Sequence, residues 1–149
     1  EVVEAADEAA REALWRLRRE LSPALRTLAP LKLNHDVVVP KGRIPRLFAL
    51  VEAIGRRHEL LIACFGHAGD GNIHVNILLD PAAAGAMTRA RLAERELFEG
   101  VVALEGSISG EHGIGFTKAP YLGLELAPGV LQHRLPLARP AAREKLQAG

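Results

Sequence analysis

The sequence predicts an α+β fold, ferredoxin-like in plan, with a mainly antiparallel sheet and helices on one face. Two observations carry that expectation. Segments with helical apolar spacing alternate with short apolar or β-branched runs in the order helix, strand, helix, strand, strand, helix, strand. Within the third strand, Ile73, Val75, Ile77 and Leu79 point one way and His74 and Asn76 the other. A polar pair on one face of an otherwise apolar strand fits either a cleft-facing site or a half-exposed antiparallel strand.

The first helix rests on Val2, Val3, Ala6, Ala10, Ala13, Leu14, Leu17 and Leu21, with Glu4, Glu8, Arg11, Glu12 and Arg19 on a solvated face. Ser22-Pro23 reads as a break, with Ser22 as N-cap and Pro23 opening a short new helix. Asp36-Val37-Val38-Val39-Pro40 reads as a strand closed by proline. Pro45 suits the first turn of a second helix, which buries Leu47, Phe48, Leu50, Val51 and Ile54. That helix ends at Gly55 or at Arg56-Arg57-His58, where cations favour the C-terminal dipole and His58 belongs to the solvated end.

Leu60–Phe65 is apolar enough for the middle of a sheet, and Ile73–Leu79 follows it across a glycine loop. Asp80-Pro81 reads as N-cap and first residue of a long helix over 81–104, with Ala83, Met87, Ala90, Ala93, Leu97, Val101 and Leu104 as its stripe. Gly106–Gly110 is expected to be extended, and Pro120–Leu126 to make a helical turn or two. Residues 1–127 are therefore expected to form one partial domain. Residues 128–149, with Pro136 and Pro140 and no sustained periodicity, are expected to be an irregular tail.

Composition removes several functions. At 149 residues the chain is one domain in size, with 48% hydrophobic and 25% charged residues. A net charge of +1 and 4% aromatics offer neither the basic field nor the stacking surfaces that nucleic acid needs. Cys64 is alone, so no internal disulfide can form and a cytoplasmic setting is favoured, while attachment at the membrane periphery through partner subunits stays open. Set in Leu60–Phe65, Cys64 reads as a small buried hydrophobe. No run approaches the roughly 18 apolar residues of a membrane helix. The chain opens at Glu1 directly in a helical pattern, as expected of a piece of something longer.

The chemistry concentrates in two glycine-framed loops, Gly66-His67-Ala68-Gly69-Asp70-Gly71-Asn72-Ile73-His74 and Gly110-Glu111-His112-Gly113. Glycines 69 and 71 let the first loop fold back and aim both imidazoles at one point. His67, His74 and Glu111 together would suit zinc or another divalent ion with open positions. His112 would then be free as a general base, and proton removal beside a metal is what oxidation of an alcohol requires. The hydride acceptor is not legible, for there is no G-x-G-x-x-G after a strand. A metal-dependent hydrolase with Asp70 as base fits the same donors, as does a non-catalytic capping fragment. Satisfied turn histidines are the plain alternative.

Taken together, Leu14-Trp15-x-x-Arg18, Asp36-Val37-Val38-Val39-Pro40, the loop Gly66–His74 and Ile108-Ser109-Gly110-Glu111-His112-Gly113-Ile114-Gly115 resemble the C-terminal domain of FAD-linked oxidases of the vanillyl-alcohol oxidase type. The likeness is to the glycolate oxidase, D-lactate dehydrogenase and D-2-hydroxyglutarate dehydrogenase branch. It implies a substrate domain set over the flavin of a separate FAD-binding domain or subunit. It also implies His67, His74 and Glu111 as ligands of a divalent metal, zinc being expected, and His112 as catalytic base. By the same resemblance Arg18, Lys32 and Asn76 contact a small 2-hydroxy acid. The family places its lysine two residues before the strand aspartate, where this chain has Asn34. Self-association into a homo-oligomer stays open.

Overall fold

The apolar run after the glycine loop becomes the centre of the sheet. In a computed structural model, which describes residues 3–126, Asn72–Leu79 (β3) lies between Leu31–Val38 (β1) and Leu61–His67 (β2) and is antiparallel to both. Every residue of β3 is buried. The alternation along it therefore does not separate core from solvent. It sorts side chains between two covered faces of different chemistry.

Register defines those faces, because directly opposed residues point the same way. Leu31, Leu33, His35 and Val37 oppose Leu79, Ile77, Val75 and Ile73, and Ile62 and Cys64 continue those rows on β2. This is the core face. Ile44–His58 (α2) contributes Leu47, Val51 and Ile54 to it, and Ala86–Ala103 (α3) contributes Ala90, Ala93, Leu97, Phe98 and Val101. The other face carries Asn34 and Asp36 of β1, Asn72, His74 and Asn76 of β3, and Phe65 and His67 of β2.

The two helices α2 and α3 cover the core face, as the fold class requires. The strand order β1-β3-β2, with α2 crossing between the outer two strands, is the α+β plan expected from the sequence. Gly106–Gly110 runs along the outside of β1, in the fourth-strand position of a ferredoxin-like sheet. It pairs through one bridge only, Val38 with Ser107. The ladder stops there because Ser107 Oγ donates to the Ser109 carbonyl at 3.0 Å and accepts the Ser109 N–H at 3.3 Å, a local turn that competes with strand pairing.

Three further boundaries differ from the sequence expectation. The first helix, Glu8–Leu25 (α1), starts after Asp7, whose side chain accepts the Ala10 N–H at 2.8 Å, and continues through Pro23. Pro23 withholds the N–H that would bond the Arg19 carbonyl, and the helix ends two residues later at Leu25. Arg26 N–H turns back to the Pro23 carbonyl, and the Ser22 carbonyl and hydroxyl accept from Lys32 Nζ instead. Helix α3 begins at Ala86, not Pro81: Asp80 caps a local turn through the Ala82 N–H, and Gly85 at φ 70° redirects the chain into the helix. Strand β1 begins five residues earlier than Asp36, at Leu31.

Beyond the second glycine loop, Gly115–Lys118 (α4), a 3-10 turn at Ala119–Tyr121 and Leu122–Glu125 (α5) supply the expected helical turns. Residues 128–149, expected as a tail, lie outside the described residues. Helix α1 lies over the polar face of the sheet, touching it through Arg18 and Ser22, yet none of its residues is buried. No helix among the described residues is long and apolar enough to cross a membrane.

Helix α2 ends with Arg56, Arg57 and His58 in its last turn, and Glu59 closes it in the left-handed region at φ 52°. His58 is not a free solvated end. It shares Glu96 of α3 with Arg57, its Nε2 lying 2.8 Å from the carboxylate. A Cβ at positive φ is strained where glycine is not, so Glu59→Gly is expected to stabilise the fold by roughly 0.5–1 kcal/mol. A higher urea midpoint with an unchanged slope is the readout, and a lower midpoint would refute it.

Candidate metal and substrate site

The first histidine loop owes its geometry to the sheet. His67 ends β2 opposite Asn72, and Phe65 opposes His74, so the two histidines are diagonal neighbours on one face. Their ring centroids are 6.0 Å apart. The link between strands is one 3-10 turn, Ala68–Asp70, followed by Gly71 at φ 75°. A Cβ on Gly71 would lie 2.1 Å from the Val39 carbonyl oxygen, whereas one on Gly69 would meet nothing within 4 Å. The expected convergence is present, but ladder register brings it about and Gly69 is dispensable to it.

The second loop docks on β1. Gly110 N–H donates to the Asp36 carbonyl at 3.2 Å, and His112 N–H donates to Asp36 Oδ2 at 2.9 Å. Gly110 lies so close that a Cβ there would fall 2.2 Å from Asn72 Nδ2 and 2.7 Å from Asp36 Oδ1. Docking in this way brings Glu111 to the two histidines. One donor atom each from His67, His74 and Glu111 lies within 4.8 Å of the others. The His112 ring stands 5.5 Å from that of His74.

Two imidazoles and a carboxylate are a donor set for a divalent first-row ion. Donors around zinc stand about 3.5 Å apart at bond lengths of about 2.0–2.2 Å. The cluster needs to contract by only about an ångström, and the exposed Glu111 has the freedom to do so. Burial is the main cause of a lowered His74 pKa, partly opposed by Asp36, and this favours the neutral imidazole that metals take.

Arg18 arrives from α1. Its Nη2 is 3.2 Å from His67 Nε2, and its guanidinium lies 5.3 Å from the centre of the Phe65 ring. A guanidinium only donates, so His67 Nε2 is the acceptor and carries no proton. Asn76 is fully buried two residues beyond His74. Its amide nitrogen reaches the Ala63 and His74 carbonyls at 3.2 Å, and its Oδ1 has no partner. Lys32 shares the face but stands apart, opposite Leu78, with its amine 2.6 Å from Ser22 Oγ. Asp70 lines a separate hollow with Lys41 and Glu105.

Two polar residues of the site escaped sequence reasoning. In the sequence Asp36 reads only as the first residue of a strand, and nothing singles out Lys118. Asp36 is 1% exposed and Lys118 6% exposed, and Lys118 Nζ donates to the Asp36 carbonyl at 2.7 Å. Burial would raise the Asp36 pKa, but hydrogen bonds from His112 N–H and Asn72, with Lys118 nearby, hold it below the usual carboxylate range. The signal in the sequence was parity: Asp36 falls on the same strand face as Asn34. Without the register it could not be placed opposite His74.

A hollow of about 780 Å³ at the outer edge between α2 and β2 is lined by Phe48, Arg56, Leu61 and Cys64, none of them site residues. Burial pushes the Cys64 thiol up to about 11, so it stays protonated and acts as the small hydrophobe expected. A smaller hollow of about 240 Å³ adjoins His112, between Asn34, Asp36, Thr117 and Lys118.

Behind Asp36, on the core face, His35 lies 3.7 Å from Glu94, whose other oxygen binds Arg91 and the Tyr121 hydroxyl. Burial lowers the His35 pKa from 6.5 to about 4, Glu94 opposing the shift and Lys118 and Arg91 adding to it. The unfolded chain therefore takes up this proton first as pH falls. Stability is unaffected by His35 above about 6.5 and declines between there and about 4, by ~3 kcal/mol in all. His35→Leu should flatten that part of the pH profile of the urea midpoint. An unchanged slope would count against the assignment.

The sheet thus has one helix-covered face and one face bearing a cluster of metal-capable donors. Residues 1–133 match the family of FAD linked oxidases, C-terminal domain, and the chain belongs to that family. It is 39% identical to the glycolate oxidase subunit GlcD of Bacillus subtilis (strain 168) over 114 residues, which cover 76% of this chain and 24% of the relative. It is 36% identical to the D-2-hydroxyglutarate dehydrogenase of Stutzerimonas stutzeri (strain A1501) over 124 residues, 80% of this chain and 26% of that one. A D-lactate dehydrogenase of Anaerostipes hadrus is 30% identical over 115 residues, 76% and 24% of the two chains. The chain thus spans about a quarter of the length of the curated relatives it matches.

Proposed function

We propose that the chain is the substrate- and metal-binding portion of a FAD-dependent D-2-hydroxy acid dehydrogenase of the glycolate or D-lactate type. The observation that carries this reading is the meeting of His67, His74 and Glu111 beside Arg18 and His112 on one sheet face. A divalent ion in the cluster, zinc by donor type, would polarise the substrate hydroxyl, while FAD on a partner domain would accept the hydride.

The chain's own side chains do the rest. Arg18, braced on Phe65, offers its guanidinium to the substrate carboxylate and fixes which face of the acid meets the site. The Oδ1 of Asn76 is buried without a partner, and a substrate hydroxyl that reached it would satisfy it. A ring nitrogen of His112 takes the hydroxyl proton as the carbonyl forms. Lys32 acts at one remove, tethering the end of the helix that carries Arg18.

The test expresses the chain alone and with its flavin-binding partner, and follows dye reduction with glycolate, D-lactate and D-2-hydroxyglutarate. Turnover is expected only with the partner, and His112→Gln should abolish it while leaving flavin content unchanged. Turnover by the chain alone, or full activity of His112→Gln, would overturn the reading.

A further inference from the structure

Among the described residues, Asp36 is bonded to both halves of the site. Its Oδ1 accepts from Asn72 Nδ2 at 2.8 Å and lies 3.7 Å from Nδ1 of His74, the residue it opposes across the ladder. Its Oδ2 holds the His112 N–H, and its carbonyl holds the Gly110 N–H and the Lys118 amine. A carboxylate facing one nitrogen of an imidazole favours the tautomer with its proton there and leaves the other nitrogen's lone pair for a metal. His74 Nδ1 makes no hydrogen bond, so the Asp36 carboxylate 3.7 Å away is the charge that bears on it. Asparagine would keep the His112 N–H on its one oxygen and turn its NH2 toward Asn72, whose unpartnered Oδ1 could flip to accept it, so that a donor and no longer a carboxylate would face His74 Nδ1.

We propose that Asp36 is a positioning residue, setting the Nδ1–H tautomer of His74 and clamping the Glu111-His112 loop against it, so that the three metal donors face one point. The inference rests on the metal reading of the site, and its test separates the two. In the full chain near pH 8, where imidazole is neutral, nitrogen-15 NMR reports which His74 nitrogen carries the proton. Competition titration with zinc reports affinity, and a thermal midpoint reports the fold. The wild type is expected to show the Nδ1–H form. Asp36→Asn should shift His74 toward the other tautomer and weaken zinc binding by roughly 10–100-fold.

A wild-type chain with its proton on Nε2 overturns the proposal without any variant, so misfolding of Asp36→Asn cannot shelter it. Asp36→Asn with an unchanged tautomer and zinc affinity also overturns it, whatever its thermal midpoint. A wild-type chain that binds no zinc sinks the metal reading, yet a tautomer that follows residue 36 would still support the positioning role.

Discussion

Zinc binding by the chain is expected to fall on the order of a hundredfold or more in each of His67→Ala, His74→Ala and Glu111→Ala, since each removes one of three donors and no fourth donor joins the cluster among the described residues. His74→Ala should be the most damaging, because His74 is buried in the central strand and opposes Asp36. Glu111→Ala acts at an exposed position and should leave the fold intact, which makes it the cleanest variant. His67→Ala has a second consequence, freeing Arg18 from its ring partner. Competition with a chromophoric chelator measures all three. Affinities within a factor of two of the wild type would mean that the cluster is not the metal site.

The largest effect on stability is expected from Phe98→Ala. Phe98 is fully buried and meets two rings edge-on, His35 at 5.3 Å and Tyr121 at 4.8 Å. Removing it leaves a cavity among α3, β1 and the segment after the second glycine loop, at a cost of about 3–5 kcal/mol. The harm should reach the site, because Tyr121 follows Lys118 by one short turn and Lys118 is hydrogen-bonded to Asp36. Urea denaturation supplies the number. A loss below about 1 kcal/mol would show that the neighbouring side chains collapse into the space.

Periodicity made most of the fold legible. The three strands, α2, α3 and their core residues follow from local patterns, and so do the two loops that carry histidine. Whether the loops meet was not local information. It depends on β3 lying between β1 and β2 and on the register that sets Asp36 opposite His74, which arises from the joint burial of strand faces far apart in sequence. Two capping signals misled for a related reason. Ser22-Pro23 and Asp80-Pro81 both have the chemistry of helix starts, but one is absorbed into a last turn and the other into a turn before Gly85. Lys32 shows the limit of resemblance: the matching position is Asn34, and the amine at 32 is engaged by Ser22.

The histidines owe their approach to a hydrogen-bonded ladder and not to a pliant loop, and this bears on the thermodynamics of ion capture. Two of the three donors lose their freedom when the chain folds, so that entropy loss is already part of the folding equilibrium. Binding an ion would need to turn Arg18 away from His67 Nε2 and to immobilise Glu111, the latter at a cost of up to about 2 kcal/mol for a side chain of that length. The site is preorganised on the sheet and adaptable on the loop. A chain so built would gain affinity from stiffening the glycine loop before residue 111 and little from further bracing of the strands.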